Sequence, residues 1–320
     1  MPEQLSSKEK LQSDSLNRST WITSLIPVVT SVMGAVIATV TVGVSESRPS
    51  ALILTFATLM VVGAVAALQV ATIARSQPRL KTISLLGFPG VGKTVYLSVL
   101  YNEMMIHASH GVQFRPYGME TAERVNEAMR RLRQGQWLPR SAANEVFFHR
   151  ARASFSSGLF TRRYKIEIPD FAGEHIAEFD ASSPTWLHRT EYFRYVIESD
   201  AIFLCLDCET LLSPDPSVAE SHQSALLTAM QVLMDIKDIV PPRRIEVPIA
   251  LLFLKGDLAP KVSERELEER AHHLTAFLQS HCRVVRSFKV SSVGQLLDEH
   301  PARELRPDNV VEPLIWALKH

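Results

Sequence analysis

The chain reads as an α/β protein, a three-layer sandwich on a mostly parallel sheet, preceded by an N-terminal two-helix transmembrane hairpin. Three observations predict this. Two long runs without a charged side chain open the sequence, Trp21 to Val44 and Ala51 to Ala74. A complete glycine-rich loop, GFPGVGKT, then lies between a hydrophobic strand and a helix-patterned stretch. Further apolar runs follow downstream and end in acidic or small residues, with helical stretches near 220–239, 262–281 and 309–320 to cover the sheet.

The organisation follows from these landmarks. Residues 1–20 form a polar tail, residues 21–74 the apolar hairpin, and residues 82–320 one α/β domain. A charge-free helix from Trp21 to Val44 extends roughly 36 Å at ~1.5 Å per residue. That exceeds the ~30 Å hydrocarbon core of a bilayer. A cleavable signal peptide, with an apolar core of about 7–15 residues, is shorter and leaves the second run unexplained. Gly34 with Ala38 and Gly63 with Ala67 have the small-x-x-x-small spacing that lets helices approach closely, so the hairpin closes on itself or pairs subunits. Lys8, Lys10 and Arg18 precede the first run and Arg75, Arg79 and Lys81 follow the second, while the SESRPS loop carries Arg48 offset by Glu46. The positive-inside rule therefore expects both termini in the cytoplasm of a multi-pass protein of the inner or plasma membrane. The short linker RSQPRLK keeps the α/β domain near the lipid bilayer, its first expected partner.

Bulk composition narrows the chemistry. Basic and acidic residues balance at 34 each, so no nucleic-acid partner is expected. The three cysteines, Cys205, Cys208 and Cys282, make no disulfide framework. Cys205 and Cys208 form a C-x-x-C inside AIFLCLDC, a core strand by pattern, with no second pair to complete a zinc site.

The glycine-rich loop carries the strongest signal. TISLL reads as a buried strand, Gly87 to Thr94 match G-x-x-x-x-G-K-[ST] in full, and Val95 to Met105 continue with helical spacing. Gly87, Gly90 and Gly92 allow backbone N–H groups, with those of Val91 and Val95, to wrap phosphates. The helix N-terminus adds its positive end. Lys93 reaches the β- and γ-phosphates, and Thr94 places its hydroxyl on Mg²⁺.

Downstream runs supply the remaining groups. In YKIEIPD, Tyr164, Ile166 and Ile168 alternate with polar residues, the period of a half-buried strand. The run ends in Asp170-Phe-Ala-Gly173-Glu174, and an acid at a strand end can hold Mg²⁺ through water. PIALLFL ends in Leu254-Lys255-Gly256-Asp257, and FKV ends in Ser291-Ser292.

Taken in order, GFPGVGKT, DFAG, LKGD and SSV resemble the motif series of the Ras-like (TRAFAC) superfamily of P-loop GTPases, over about residues 82–320. GFPGVGKTVYLSVLY and PDFAGEH look most like the bacterial double-GTPase group linked to conflict and defence systems. The β-subunit of the signal recognition particle receptor is the nearest alternative, but its single span counts against it. The resemblance implies a Ras-like sandwich. It implies that Gly173 meets the γ-phosphate and that Asp257 accepts two hydrogen bonds from the guanine N1–H and 2-amino groups. It further implies that Lys255 lies along the base, and that Ser291 and Ser292 bring backbone to it. Leu254 stands where the guanine motif has asparagine, removing a polar brace of that loop. Ser141, in GQWLPRSAANEVFF, takes the place of the threonine that senses Mg²⁺ and γ-phosphate. Glu174 stands where Ras-like proteins orient the attacking water with glutamine, implying slow hydrolysis with Lys93 and Glu174 as the catalytic pair. The amphipathic ETAERVNEAMRRLRQG, between Met105 and Ser141, is an addition to the minimal plan.

The expected ligand is therefore GTP with Mg²⁺, ATP being the alternative. The expected activity is a membrane-anchored nucleotide switch acting on an unidentified protein partner, with homo-oligomerisation left open. A nucleotide-gated membrane effector that oligomerises, an ATP-using P-loop protein and a nucleotide-binding scaffold without turnover are the competing readings. The absence of charge inside the hairpin disfavours an ion path.

Overall fold

The computed structural model describes residues 78–107, 111–139, 146–157, 160–171, 191–294, 296–297 and 300–320, together with Met60, Gly63 and Ala64. The expected hairpin over 21–74, apart from those three residues, lies outside the described residues, as do Ser141, Gly173 and Glu174. Among the described residues no helix is long and apolar enough to cross a membrane. The chain divides into two units, residues Met1–Gln77 and Pro78–His320.

Seven strands form one sheet in the order β2-β3-β4-β1-β5-β6-β7. They are β1 (Arg79–Leu86), β2 (Val112–Pro116), β3 (Val146–Ser157), β4 (Phe160–Phe171), β5 (Ala201–Asp207), β6 (Ile249–Leu254) and β7 (Val285–Lys289). Strands β4, β1, β5, β6 and β7 run parallel, while β3 is antiparallel to both β2 and β4. The strand before the glycine loop begins at Arg79. The last residues of the expected linker are thus already hydrogen-bonded, Arg79 opposite Tyr164.

The central strands explain the three layers. All residues of β5 and β6 are buried, as for strands covered on both faces. Side chains alternate along a strand. Phe203, Cys205, Ala250, Leu252 and Leu254 therefore enter one core, and Ile202, Leu204, Leu206, Ile249, Leu251 and Phe253 the other. Each such apolar side chain contributes about 1.5–3 kcal/mol on full burial. The first core is closed by α1 (Lys93–Ile106), α2 (Met119–Arg133) and α8 (Glu312–Lys319). The second is closed by α3 (Glu191–Glu198), α5 (Pro216–Ile236), α6 (Glu264–Arg270) and α7 (His272–His281), with the one-turn α4 (Cys208–Leu211) at the end of β5.

Local signals set the helix ends. Asp215 caps α5 by accepting the Ser217 N–H, with Pro216 in its first turn. Ser263 caps α6 by accepting the Glu266 N–H. The stretch expected as one helix over 262–281 is two, separated at Ala271. The addition after α1 is more than a helix: β2 precedes α2 and extends the sheet beyond β3 as an edge strand. Cys205 lies in β5, whereas Cys208 opens α4. Burial pushes the thiol pKa of each up to about 12, and no group of three or more metal-ligating residues occurs among the described residues.

Candidate functional site

All described motif residues lie at the carboxyl ends of parallel strands, where open α/β sheets bind ligands. The loop after β1 turns tightly because its glycines permit it. A Cβ on Gly87 would stand 2.7 Å from the Cys205 carbonyl oxygen, so the chain leaves β1 pressed against β5. Gly90 (φ 80°) and Gly92 (φ 98°) hold left-handed conformations, and Gly92 is the N-cap of α1. The Val91 side chain is buried and anchors the loop from below, while Gly90, Gly92 and Val95 line a cleft.

Lys93 opens α1 and is almost fully buried. Its Nζ donates to the carbonyls of Gly87 (2.6 Å) and Phe88 (2.9 Å), which holds the ammonium beneath the loop. Burial lowers its pKa, and the nearby Asp170 charge opposes that shift. Thr94 Oγ1 approaches Asp170 Oδ1 at 3.4 Å, joining the glycine loop to the end of β4. The other oxygen, Asp170 Oδ2, is buried without a hydrogen-bond partner among the described residues. A hydroxyl and a carboxylate with spare acceptor capacity fit Mg²⁺ held partly by phosphate and water. Thr94 and Asp170 would hold it there, and the ion would supply charge neutralisation for bound phosphate.

The other end of the cleft is built by β5, β6 and β7. Lys255 adopts a left-handed conformation (φ 56°) after β6 and ion-pairs with Glu209 Oε2 at 2.9 Å. Asp207 caps α4 through the Thr210 N–H (2.6 Å) and stands 3.9 Å from Lys255 Nζ. Gly256 donates its N–H to the Val290 carbonyl, and a Cβ there would meet that oxygen at 2.9 Å. This close approach locks the LKGD turn onto the strand leading to Ser291. Asp257 Oδ1 accepts from Ser291 Oγ at 3.0 Å, and Ser291 Oγ accepts from the Gly294 N–H at 3.1 Å. Burial raises the Asp257 pKa, against the pull of the Ser291 hydrogen bond and the Lys255 charge.

The two ends share one cavity of about 530 Å³, lined among others by Gly92, Leu254, Lys255, Asp257, Ser292 and Trp137. Leu254 is buried in the first core at the end of β6. Ser291 ties the side chain of Asp257 to the loop after β7. Trp137, 43 % exposed, follows α2 and lines the cleft. Trp137 and Glu209 were not legible as site residues, because neither sits in a motif; only the position of Trp137 just before Ser141 offered a hint.

Fold and site together define a P-loop nucleotide-binding domain. The family model of Double-GTPase 2 matches residues 81–306, and the chain belongs to that family. A search of curated proteins finds no match. Among solved structures, the Arl6 small GTPase of Trypanosoma brucei with the bound nucleotide analogue GppNp is 16% identical, with a TM-score of 0.40, over 75% of this chain and 96% of its own. A nucleolar GTP-binding protein of Plasmodium falciparum is 13% identical, with a TM-score of 0.39, over 76% of this chain and 87% of its own.

Proposed function

We propose that the chain is a membrane-anchored GTP-binding protein, a slow GTPase that works as a nucleotide-dependent switch, in a bacterial defence or conflict system. The observation that carries the guanine reading is the shared cleft: the phosphate loop at one end, and at the other Asp257 held by Ser291 beside Lys255. A carboxylate at that position accepts from the paired N1–H and 2-amino donors of guanine, and adenine offers no such pair.

Slow turnover rests on the sequence position of Glu174 after DFAG, where a carboxylate would add negative charge and a neutral amide would orient water. The anchor rests on the two charge-free runs and their flanking basic residues. Ordering of the segments around Ser141 and Gly173 by the γ-phosphate is the proposed switch, read by a protein partner at the bilayer.

The test uses the full chain reconstituted in liposomes. The proposal expects resistance to alkaline extraction, GTP-specific binding with Mg²⁺, phosphate release at or below about 10⁻³ s⁻¹, the scale of unaided Ras-type hydrolysis, and no nucleotide-dependent leakage of liposome contents. Release of the chain by alkaline wash contradicts the anchor. Rapid ATP turnover contradicts the switch, and GTP-triggered leakage favours the membrane effector.

A further inference from the structure

His149 is a buried polar side chain beside the candidate metal site, with no role among the groups that hold phosphate or base. His149 lies on β3, opposite Ile168 of β4, and Asp170 is two residues further along β4. Residues opposite one another across an antiparallel pair share a face, and their diagonal neighbours at j±2 lie within reach. His149 Nε2 accordingly stands 3.9 Å from Asp170 Oδ2, with both side chains at most 2% exposed. Neither ring nitrogen of His149 has a hydrogen-bond partner among the described residues, and neither does Asp170 Oδ2.

The imidazole is fixed in place. Its backbone carbonyl accepts from Tyr101 Oη on α1 at 2.8 Å, and its ring packs against Tyr101 (centroids 5.2 Å) and Phe147 (4.8 Å). Buried polar groups of native proteins almost always find partners. Here the donor-capable nitrogen and the orphaned carboxylate oxygen stand 3.9 Å apart, so an approach of about 1 Å, through rotation of the Asp170 carboxyl, brings them to hydrogen-bond distance.

We propose that His149 is a positioning residue for the magnesium-binding carboxylate. Its Nε2–H donates to Asp170 Oδ2 and thereby holds Oδ1 toward Thr94 and the metal. This deepens the reading of the site given above and rests on it. The arrangement divides the carboxylate: one oxygen serves the metal side, the other is tied to the strand behind it. Partners of this kind typically govern metal affinity by about 10–100-fold when removed.

The test measures retention of fluorescent GDP by the full-length chain across a Mg²⁺ titration and in EDTA. It compares wild type with His149→Phe, which keeps a ring and loses the donor, and His149→Gln, whose amide nitrogen can stand near the Nε2 position. The inference expects equal retention of all three in EDTA. It expects the Mg²⁺ half-saturation of His149→Phe to rise about 10–100-fold, with at least partial recovery in His149→Gln. An unchanged half-saturation in His149→Phe overturns it. Should His149→Phe not fold, equal half-saturation of wild type and His149→Leu overturns it in the same way, and an elevated value restored in His149→Gln supports it. A wild type that retains nucleotide identically with Mg²⁺ and EDTA instead overturns the reading of Thr94 and Asp170 as the metal site, and the inference with it.

Discussion

Ser291 donates its hydroxyl to Asp257 across the gap between the β6 and β7 loops, at 3.0 Å. The carboxylate is thereby held in one orientation before any base arrives, with its remaining acceptor capacity free. A hydrogen bond to a charged group contributes about 1.5–3 kcal/mol. Ser291→Ala is expected to weaken guanine-nucleotide binding about tenfold or more while leaving the fold intact. Equilibrium binding of labelled GDP beside a thermal melt checks it.

Asp257 also sets which base is read. Asp257→Asn presents one acceptor and one donor, complementary to a base with a C2 carbonyl in place of the 2-amino group. The preference should shift from guanine to xanthine nucleotides, measurable by competition with both.

Acid should weaken guanine binding by the same residue. The folded pKa of Asp257 is raised, chiefly by burial. The ionised form that guanine needs is therefore complete only above that raised value, and it is lost as pH falls through it. The loss begins at a higher pH than for an ordinary aspartate near ~3.9. Through the same window, folding stability falls as pH rises, since the folded state holds the proton more tightly. Affinity measured against pH should show the decline in wild type, and Asp257→Asn should lack it for xanthine nucleotide.

Gly87 tests the packing beneath the phosphate loop. A methyl group there meets the Cys205 carbonyl oxygen at 2.7 Å and Cys205 Cβ at 2.8 Å, both on a central strand that cannot yield. Overpacking of this kind costs about 1–3 kcal/mol. For a domain of this size that lowers the melting temperature by about 2–4 °C per kcal/mol. Gly87→Ala should melt several degrees lower and lose nucleotide affinity.

Trp137 provides a reporter. An aromatic face stacked on a base contributes about 1–3 kcal/mol by alanine substitution. Nucleotide addition should change tryptophan emission in wild type and not in Trp137→Phe, and Trp137→Ala should weaken binding. Emission that responds equally in both proteins places Trp137 outside the contact.

The parts of this site that could be read from sequence are those whose geometry is local. A glycine loop needs only a strand before it and a helix after it, so Gly87 to Thr94 declare themselves. Asp170 lies in the last residues of β4, and Asp257 and Ser291 follow β6 and β7, so all three fall at the carboxyl end of the sheet because parallel strands end there. Contacts across the fold were not legible. The Ser291–Asp257 hydrogen bond depends on how closely Gly256 approaches Val290, just after β7. His149 is one polar residue in a strand-like run, and only the β3–β4 register brings it to Asp170. Strand β2 has two buried apolar residues, Val112 and Phe114, too few for periodicity to show before the sheet pairs them. The break at Ala271 left no proline or glycine to mark it.

The most direct measurement is binding of labelled GTP and ATP with Mg²⁺ to the full-length chain, beside Lys93→Ala. Lys93 is the buried cation of the phosphate loop, and its removal leaves the base end of the cleft untouched. GTP binding well above ATP is expected in wild type, with loss of GTP binding in Lys93→Ala. Equal or tighter binding of ATP, or GTP binding that survives without Lys93, would contradict the assignment of this cleft to a guanine nucleotide.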